Sequence, residues 1–210
     1  MTQQNVTFLP SCSTFRDSTL PLLLETIKIE GQQADNLAYH QKRLNRSQKA
    51  LFGLSTQSID LASILDAPSD TLYRCRILYD TELRSVEYLP YTSKEIQSLK
   101  IVTSSLDYSY KYADRREMNA LIESHNTYDD ILIEKEGFLT DTSIANIAFY
   151  DGLQWFTPKQ PLLEGTTRAK LLDEGFLQTK EIRREDLSSY IQVALMNAMI
   201  GFKIVNAKIE

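Results

Sequence analysis

Two hydrophobic rhythms run through this chain, and the switch between them marks out its elements. Residues 72–79 alternate strictly, with Tyr73, Cys75, Ile77 and Tyr79 on one side and Arg74 and Arg76 on the other; this is a strand with one buried face. Asp80-Thr81-Glu82 turns into a hairpin partner over residues 83–89, which Pro90 ends. Residues 36–52 carry the helical period instead. Leu37, Leu44 and Leu51 recur at intervals of seven, Ala50 joins them, and Gly53 supplies the stop. Asp35 or Asn36 is placed to cap that helix. Upstream, residues 20–29 read as an apolar strand with Glu25 and Thr26 in its middle, while residues 1–19, rich in Thr, Ser and Gln, predict an irregular arm. Residues 58–65 predict a short helix.

The second half begins with the β-branched run at residues 99–104. Asp114 followed by Glu117 has capping-box spacing and predicts a helix from 114 to 124. A strand at 128–134 leads through Glu136-Gly137 into a second, long strand at 138–150, and Asp151-Gly152 signals a hairpin returning at 153–156. Pro158 and Pro161 punctuate a loop, after which residues 162–168 open a helix reaching about Gly175. A strand at 178–182, a helical turn at Asp186-Leu187, a buried strand at 190–196 and a final pair around 202–209 complete the chain. The expected class is α/β, of mixed α+β character, with a smaller N-terminal α+β domain (1–105) and a larger C-terminal domain (106–210).

Composition narrows the function classes. With 210 residues, 42% of them hydrophobic and 24% charged, the chain can bury a substantial core. A net charge of −5 without a basic block argues against nucleic acid as a partner. Cys12 and Cys75 form no disulfide framework and have no partner at metal-ligand spacing, and neither His40 nor His125 lies in a metal motif. No metal is therefore expected, and the reducing cytoplasm is the expected compartment. The uncharged run at 188–202 is shorter than the ~20 apolar residues of a membrane span, and residues 1–15 lack a signal-peptide pattern.

Three places suggest chemistry. Lys111 sits among Tyr108, Tyr110 and Tyr112. Desolvation by aromatic bodies lowers a lysine's pKa and fits it for imine formation or proton abstraction; the same residues also describe a surface lysine beside tyrosines that cover a core. Gly165-Thr166-Thr167 at a helix start offers free N–H groups and hydroxyls to a phosphate, or is simply a Thr-capped helix. Asp141 and Asn146 are polar positions in an apolar strand. A carboxylate buried there needs a partner such as a protonated ring nitrogen, unless it makes a local turn bond. His40, Lys42, Arg43, Arg46 and Lys49 read as a solvated helix face. An imine-forming lysine, a phosphate cradle and a carboxylate for a pyridinium together describe pyridoxal 5'-phosphate.

From about residue 23 to residue 205 the sequence resembles the class IV aminotransferase family of pyridoxal-phosphate enzymes. Leu24-Glu25-Thr26-Ile27 is similar to its early strand, and His40-Gln41-Lys42-Arg43-Leu44 to the helix whose arginine contacts the cofactor phosphate, which implicates Arg43. Lys111 matches the Schiff-base lysine. Leu139-Thr140-Asp141-Thr142-Ser143 with Asn146-Ile147 matches the strand whose acidic residue pairs with the pyridine nitrogen. Pro161-Leu162-Leu163-Glu164-Gly165-Thr166-Thr167-Arg168 matches the phosphate loop, so Leu163, Thr166 and Thr167 join the cofactor set. Two places look more like aminodeoxychorismate lyases than branched-chain aminotransferases: Arg115 four residues after Lys111, and Asn197-Ala198-Met199.

The resemblance implies the two-domain class IV aminotransferase (D-amino-acid aminotransferase-like) fold, a homodimer, a small-molecule amino substrate, and Lys111 as the base. Its lyase branch implies conversion of 4-amino-4-deoxychorismate to 4-aminobenzoate and pyruvate in folate biosynthesis; its other branch implies an amino-acid transaminase of branched-chain or D-amino-acid type. Arg76, Arg115, Asn197 and Ala198 are the candidate substrate contacts. The chain departs from the family in having Asp141 for the usual glutamate and in a shortened N-terminal arm, Ser18-Thr19-Leu20-Pro21-Leu22. These departures leave a non-catalytic cofactor-binding relative as a third reading.

Overall fold

The alternating strand becomes the middle of a sheet. The computed structural model describes residues 6–7, 20–54 and 59–210. The chain separates into two units: Met1–Thr92 with Tyr110–Asp114, and Ser93–Ser109 with Arg115–Glu210. The first unit contains β1 (Val6–Thr7), β2 (Leu23–Glu30), β3 (Gln33–Ala34), α1 (Leu37–Phe52), α2 (Leu61–Ile64), β4 (Tyr73–Tyr79) and β5 (Leu83–Pro90). Its strands pair antiparallel in the order β1-β5-β4-β2-β3. On β4, Cys75, Ile77 and Tyr79 enter the core with Leu23, Ile27, Ile29, Leu44 and Leu61.

Helix α1 stops at Gly53, whose φ of 70° lies in the left-handed region that glycine enters without a Cβ clash. At its other end Asn36 holds the cap position but makes no side-chain cap bond, unlike the expectation. Helix α2 starts at Leu61, where the Asp60 carboxylate accepts from the Ala62 N–H. Ser58 and nearly all of the 1–19 arm lie outside the described residues.

The second unit contains β6 (Ser98–Thr103), α3 (Arg116–Glu123), β7 (Asp130–Lys135), β8 (Phe138–Thr142), β9 (Asn146–Tyr150), β10 (Trp155–Pro158), α4 (Thr166–Asp173), β11 (Leu177–Lys180), a 3-10 turn at Arg184–Ser189, β12 (Gln192–Asn197), β13 (Gly201–Val205) and β14 (Lys208–Ile209). The order is β11-β10-β9-β8-β7-β6-β14, with β12 on β9 and β13 on β12. The pairs β6–β7 and β10–β11 are parallel, and α3 and α4 lie in the crossovers that such pairs require. Strand β9 is buried on both faces. Ile147 and Phe149 pack with Leu99, Leu132, Leu139 and Leu195, while Ala148 packs with Trp155, Leu177, Ala194 and Met196.

The structure also differs from the sequence expectations in the second half of the chain. The long strand at 138–150 is a hairpin: β8 and β9 are antiparallel, and Asp141 faces Asn146 across it. Its turn has no glycine, proline or asparagine to announce it. Thr142 makes it instead, with a hydroxyl that accepts from the Ala145 N–H and donates to the Ala145 carbonyl, both at 3.1 Å. The last two strands do not pair with each other; β13 joins β12 and β14 joins β6. Helix α3 begins at Arg116, with Arg115 rather than Asp114 in the cap position.

Finally, the division between units falls after Thr92 rather than after residue 105, and Lys111 belongs with the first unit. Backbone hydrogen bonds explain this. The Lys111 carbonyl accepts from the Leu24 N–H, the Ala113 N–H donates to the Leu22 carbonyl, and Tyr112 bridges Leu23.

Thr142→Val should cost about 1–3 kcal/mol, because it removes a buried hydroxyl and strands its partners. Urea unfolding reads this as a lower midpoint; an unchanged midpoint would show that the turn does not need the hydroxyl.

Candidate active site

In the first unit the site is built around a carboxylate that has nowhere to meet water. Glu25 is on β2 and is fully buried. Its Oε1 accepts from Arg43 Nε at 2.8 Å, and its Oε2 from Arg43 Nη2 at 2.5 Å and lies 2.6 Å from His40 Nδ1. His40 and Arg43 stand three residues apart on the buried face of α1, the spacing that lets both reach one group. Burial pushes the Glu25 carboxyl up, but the Arg43 charge and the bonds from His40 and Arg43 outweigh it and hold the pKa down at about 2. His40 is shifted down, chiefly by burial, with Glu25 opposing and the charges of Arg43 and Lys111 assisting. The Lys111 charge is thus felt at His40, and its backbone is fastened to β2. The solvated-face reading of α1 holds for Lys42, Arg46 and Lys49 but not for His40 and Arg43. Sequence reasoning missed Glu25 and His40 as site residues. The signal was a charged residue within an apolar strand, the same signal that picked out Asp141.

In the second unit the turn brings Asp141 and Asn146 side by side at the end of the hairpin. Asp141 is buried; its Oδ1 accepts from Asn146 Nδ2 at 2.7 Å and its Oδ2 from the Leu163 N–H at 2.8 Å. Asn146 Nδ2 also donates to the Leu163 carbonyl at 2.8 Å. Leu163 therefore works through its backbone, tying the 162–165 loop to the carboxylate. Burial raises the Asp141 pKa to about 6, against the pull of these neutral donors and of the Arg168 charge. Where that loop enters α4, a Cβ on Gly165 would stand 2.0 Å from Asn146 Oδ1, so only glycine fits. Thr166, Thr167 and Arg168 are all buried in the first turn of α4. The Thr167 hydroxyl has no hydrogen-bond partner among the described residues, and Arg168 donates through Nη2 to the Pro158 carbonyl.

These residues fit pyridoxal phosphate. A buried carboxylate whose pKa is raised by desolvation gains from a protonated ring nitrogen. An unpartnered buried hydroxyl at a helix N-terminus suits a phosphate oxygen.

The substrate candidates have other partners. Arg76 on β4 pairs with Glu87 across the strands at 3.1 Å. Arg115 donates through Nη2 to the Ser143 carbonyl at 2.8 Å, and its guanidinium lies 5.6 Å from the centre of the Tyr108 ring. Asn197 ends β12 and donates to the Ile144 carbonyl at 3.1 Å, and Ala198 follows it, half-buried, in the turn to β13.

Two measurements test this geometry. In the cofactor-free protein the Asp141 carboxyl carbon should titrate near pH 6 by NMR, and a midpoint below 4 would contradict the burial argument. Gly165→Ala should displace Asn146 and lower stability by about 1–3 kcal/mol, as overpacking does; calorimetry with an unshifted transition would show that the loop absorbs the methyl group freely.

Comparison with known proteins gives the family. The amino-transferase class IV family profile matches residues 22–207. An uncharacterized protein of Haemophilus influenzae is 38% identical over 184 residues, which is 85% of this chain and 98% of that one. The crystal structure of a putative 4-amino-4-deoxychorismate lyase from Haemophilus somnus superposes with a TM-score of 0.80 at 39% identity, covering 89% of this chain and all (100%) of the other. That of a putative amino-acid aminotransferase from Mesorhizobium loti gives 0.75 at 25% identity, covering 90% and 99%. The fold is therefore the class IV aminotransferase fold that the motifs implied, and the chain is an enzyme of the class IV aminotransferase family, whose members depend on pyridoxal phosphate.

Proposed function

We propose that this protein binds pyridoxal phosphate and acts as a 4-amino-4-deoxychorismate lyase, releasing pyruvate and leaving 4-aminobenzoate for folate synthesis. The observation that carries the reading is the 39% identity to a putative lyase of that name over 89% of the chain, against 25% for the putative amino-acid aminotransferase. Arg115 four residues beyond Lys111, and Asn197-Ala198-Met199, point the same way.

The motif residues divide the chemistry. Lys111 holds the cofactor and then takes the proton from the substrate ring carbon that bears nitrogen. Arg43, the Thr167 hydroxyl and the first N–H groups of α4, at Thr166 and Thr167, bind the phosphate. Asp141, oriented by Asn146 and the Leu163 N–H, holds the proton at the ring nitrogen. Pyridoxal phosphate, when bound, supplies an electron sink next to the substrate nitrogen. Loss of the proton and of the enol ether group makes the substrate ring aromatic, and the departing enol takes up a proton to become pyruvate.

The same reading carries a small amino substrate, a homodimer and a cytoplasmic location. The last accords with two cysteines and no disulfide framework in the sequence. No described helix is long and apolar enough to cross a membrane.

The second reading, an amino-acid transaminase, is favoured by the likeness to the Mesorhizobium loti protein. It uses the same lysine and cofactor, and it returns the proton instead of expelling a leaving group.

Incubation with 4-amino-4-deoxychorismate should release pyruvate, and Lys111→Ala should lower that rate by roughly 100-fold or more. Borohydride should fix the cofactor to Lys111. Keto-acid formation from amino acids without pyruvate release would move the assignment to the transaminase, and failure to take up pyridoxal phosphate would sink both.

A further inference from the structure

The position of Asp141 depends on a short turn, and that turn is held from outside by two side chains from distant parts of the sequence. Only residues 142–145 separate Asp141 from its cross-strand partner Asn146. Two successive carbonyls in that turn are taken by side chains. Arg115 Nη2 donates to Ser143 O at 2.8 Å, and Asn197 Nδ2 donates to Ile144 O at 3.1 Å. One donor stands at the start of α3 and the other at the end of β12.

Both donors are themselves fixed. The Arg115 guanidinium lies over the buried Tyr108 ring. The Asn197 Oδ1 accepts from the Met199 and Ile200 N–H groups at 2.9 and 3.0 Å, which sets the amide so that its nitrogen faces the turn. Thr142 closes the turn from within. The turn is thus fastened at three consecutive residues, while the side chain at its tip, Ile144, is about half exposed (49%) and adds little packing of its own.

We propose that Arg115 and Asn197 are positioning residues, a two-point clamp on the 143–144 carbonyls that sets the Asp141–Asn146 pair against the Leu163 backbone. The consequence for the reaction rests on the reading of Asp141 as the carboxylate for the cofactor ring. It also reassigns Arg115 and Asn197, whose place in the sequence made them candidate substrate contacts. An arginine held by a carbonyl and an aromatic face has a fixed head group, and it acts on the reaction through what it positions.

Arg115→Gln and Asn197→Ala test this, each made separately so that either alone decides the matter if the other does not fold. In the cofactor-free protein, losing a clamp point should loosen the buried carboxylate and let its NMR titration midpoint fall by at least half a pH unit. Affinity for pyridoxal phosphate should drop about tenfold. In the loaded enzyme kcat should fall while KM for the amino substrate stays within about twofold. The proposal is overturned if KM rises with the Asp141 midpoint and cofactor affinity unchanged, because that is the signature of a direct substrate contact. If the wild-type protein binds no pyridoxal phosphate, the functional reading fails while the titration shift still decides on the clamp.

Discussion

A carboxylate removed from water must be compensated locally, and this one constraint shapes the second unit around Asp141. The charge is met by the Asn146 side-chain amide and the Leu163 N–H, with the Leu162 backbone assisting. Each of those donors fixes a piece of chain. Asn146 can stand opposite Asp141 only because β8 and β9 form a hairpin. Leu163 can reach it only because the loop before α4 comes close, and that approach leaves no room for a side chain at Gly165. The hairpin, the loop and the helix start are therefore one construction, and the Thr167 hydroxyl lies at its end.

The first unit answers the same constraint differently. Glu25 is as deeply buried as Asp141, yet its pKa goes down to about 2 where that of Asp141 goes up to about 6. The difference lies in the donors. Glu25 has a bidentate guanidinium and an imidazole, and charge-assisted bonds outweigh desolvation. Asp141 has neutral donors, and desolvation prevails. Glu25 is therefore an internal anchor that holds Arg43 and His40 in place beside the Lys111 stretch, while Asp141 keeps a preference for a further positive charge. Under the proposed function a protonated pyridine ring would meet that preference, and the Thr167 hydroxyl and the start of α4 would hold the phosphate.

Much of this was legible in the sequence, because charged residues in apolar strands and glycine before paired threonines are conspicuous. The alternation of β4, the heptad spacing of α1 with its Gly53 stop, and the Asp141, Asn146 and Thr167 positions all followed from local pattern. What was hidden depended on contacts between distant residues. The turn at 143–145 is stabilised by a threonine hydroxyl and by Arg115 and Asn197, so its own residues read as one continuous strand. Lys111 reads as part of the second half of the chain, yet its backbone is bonded to β2. The helix bearing His40 and Arg43 reads as a solvated face because its partner, Glu25, lies fifteen or more residues earlier.

The central claim is that the buried Asp141 carboxylate is matched to a protonated ring nitrogen. The most direct test is a 15N NMR measurement on protein loaded with pyridoxal phosphate labelled at that nitrogen. The account predicts a pyridinium signal that persists at pH 8 in the wild type and gives way to the neutral-pyridine signal in Asp141→Ala. A neutral nitrogen in the wild type at that pH would contradict it.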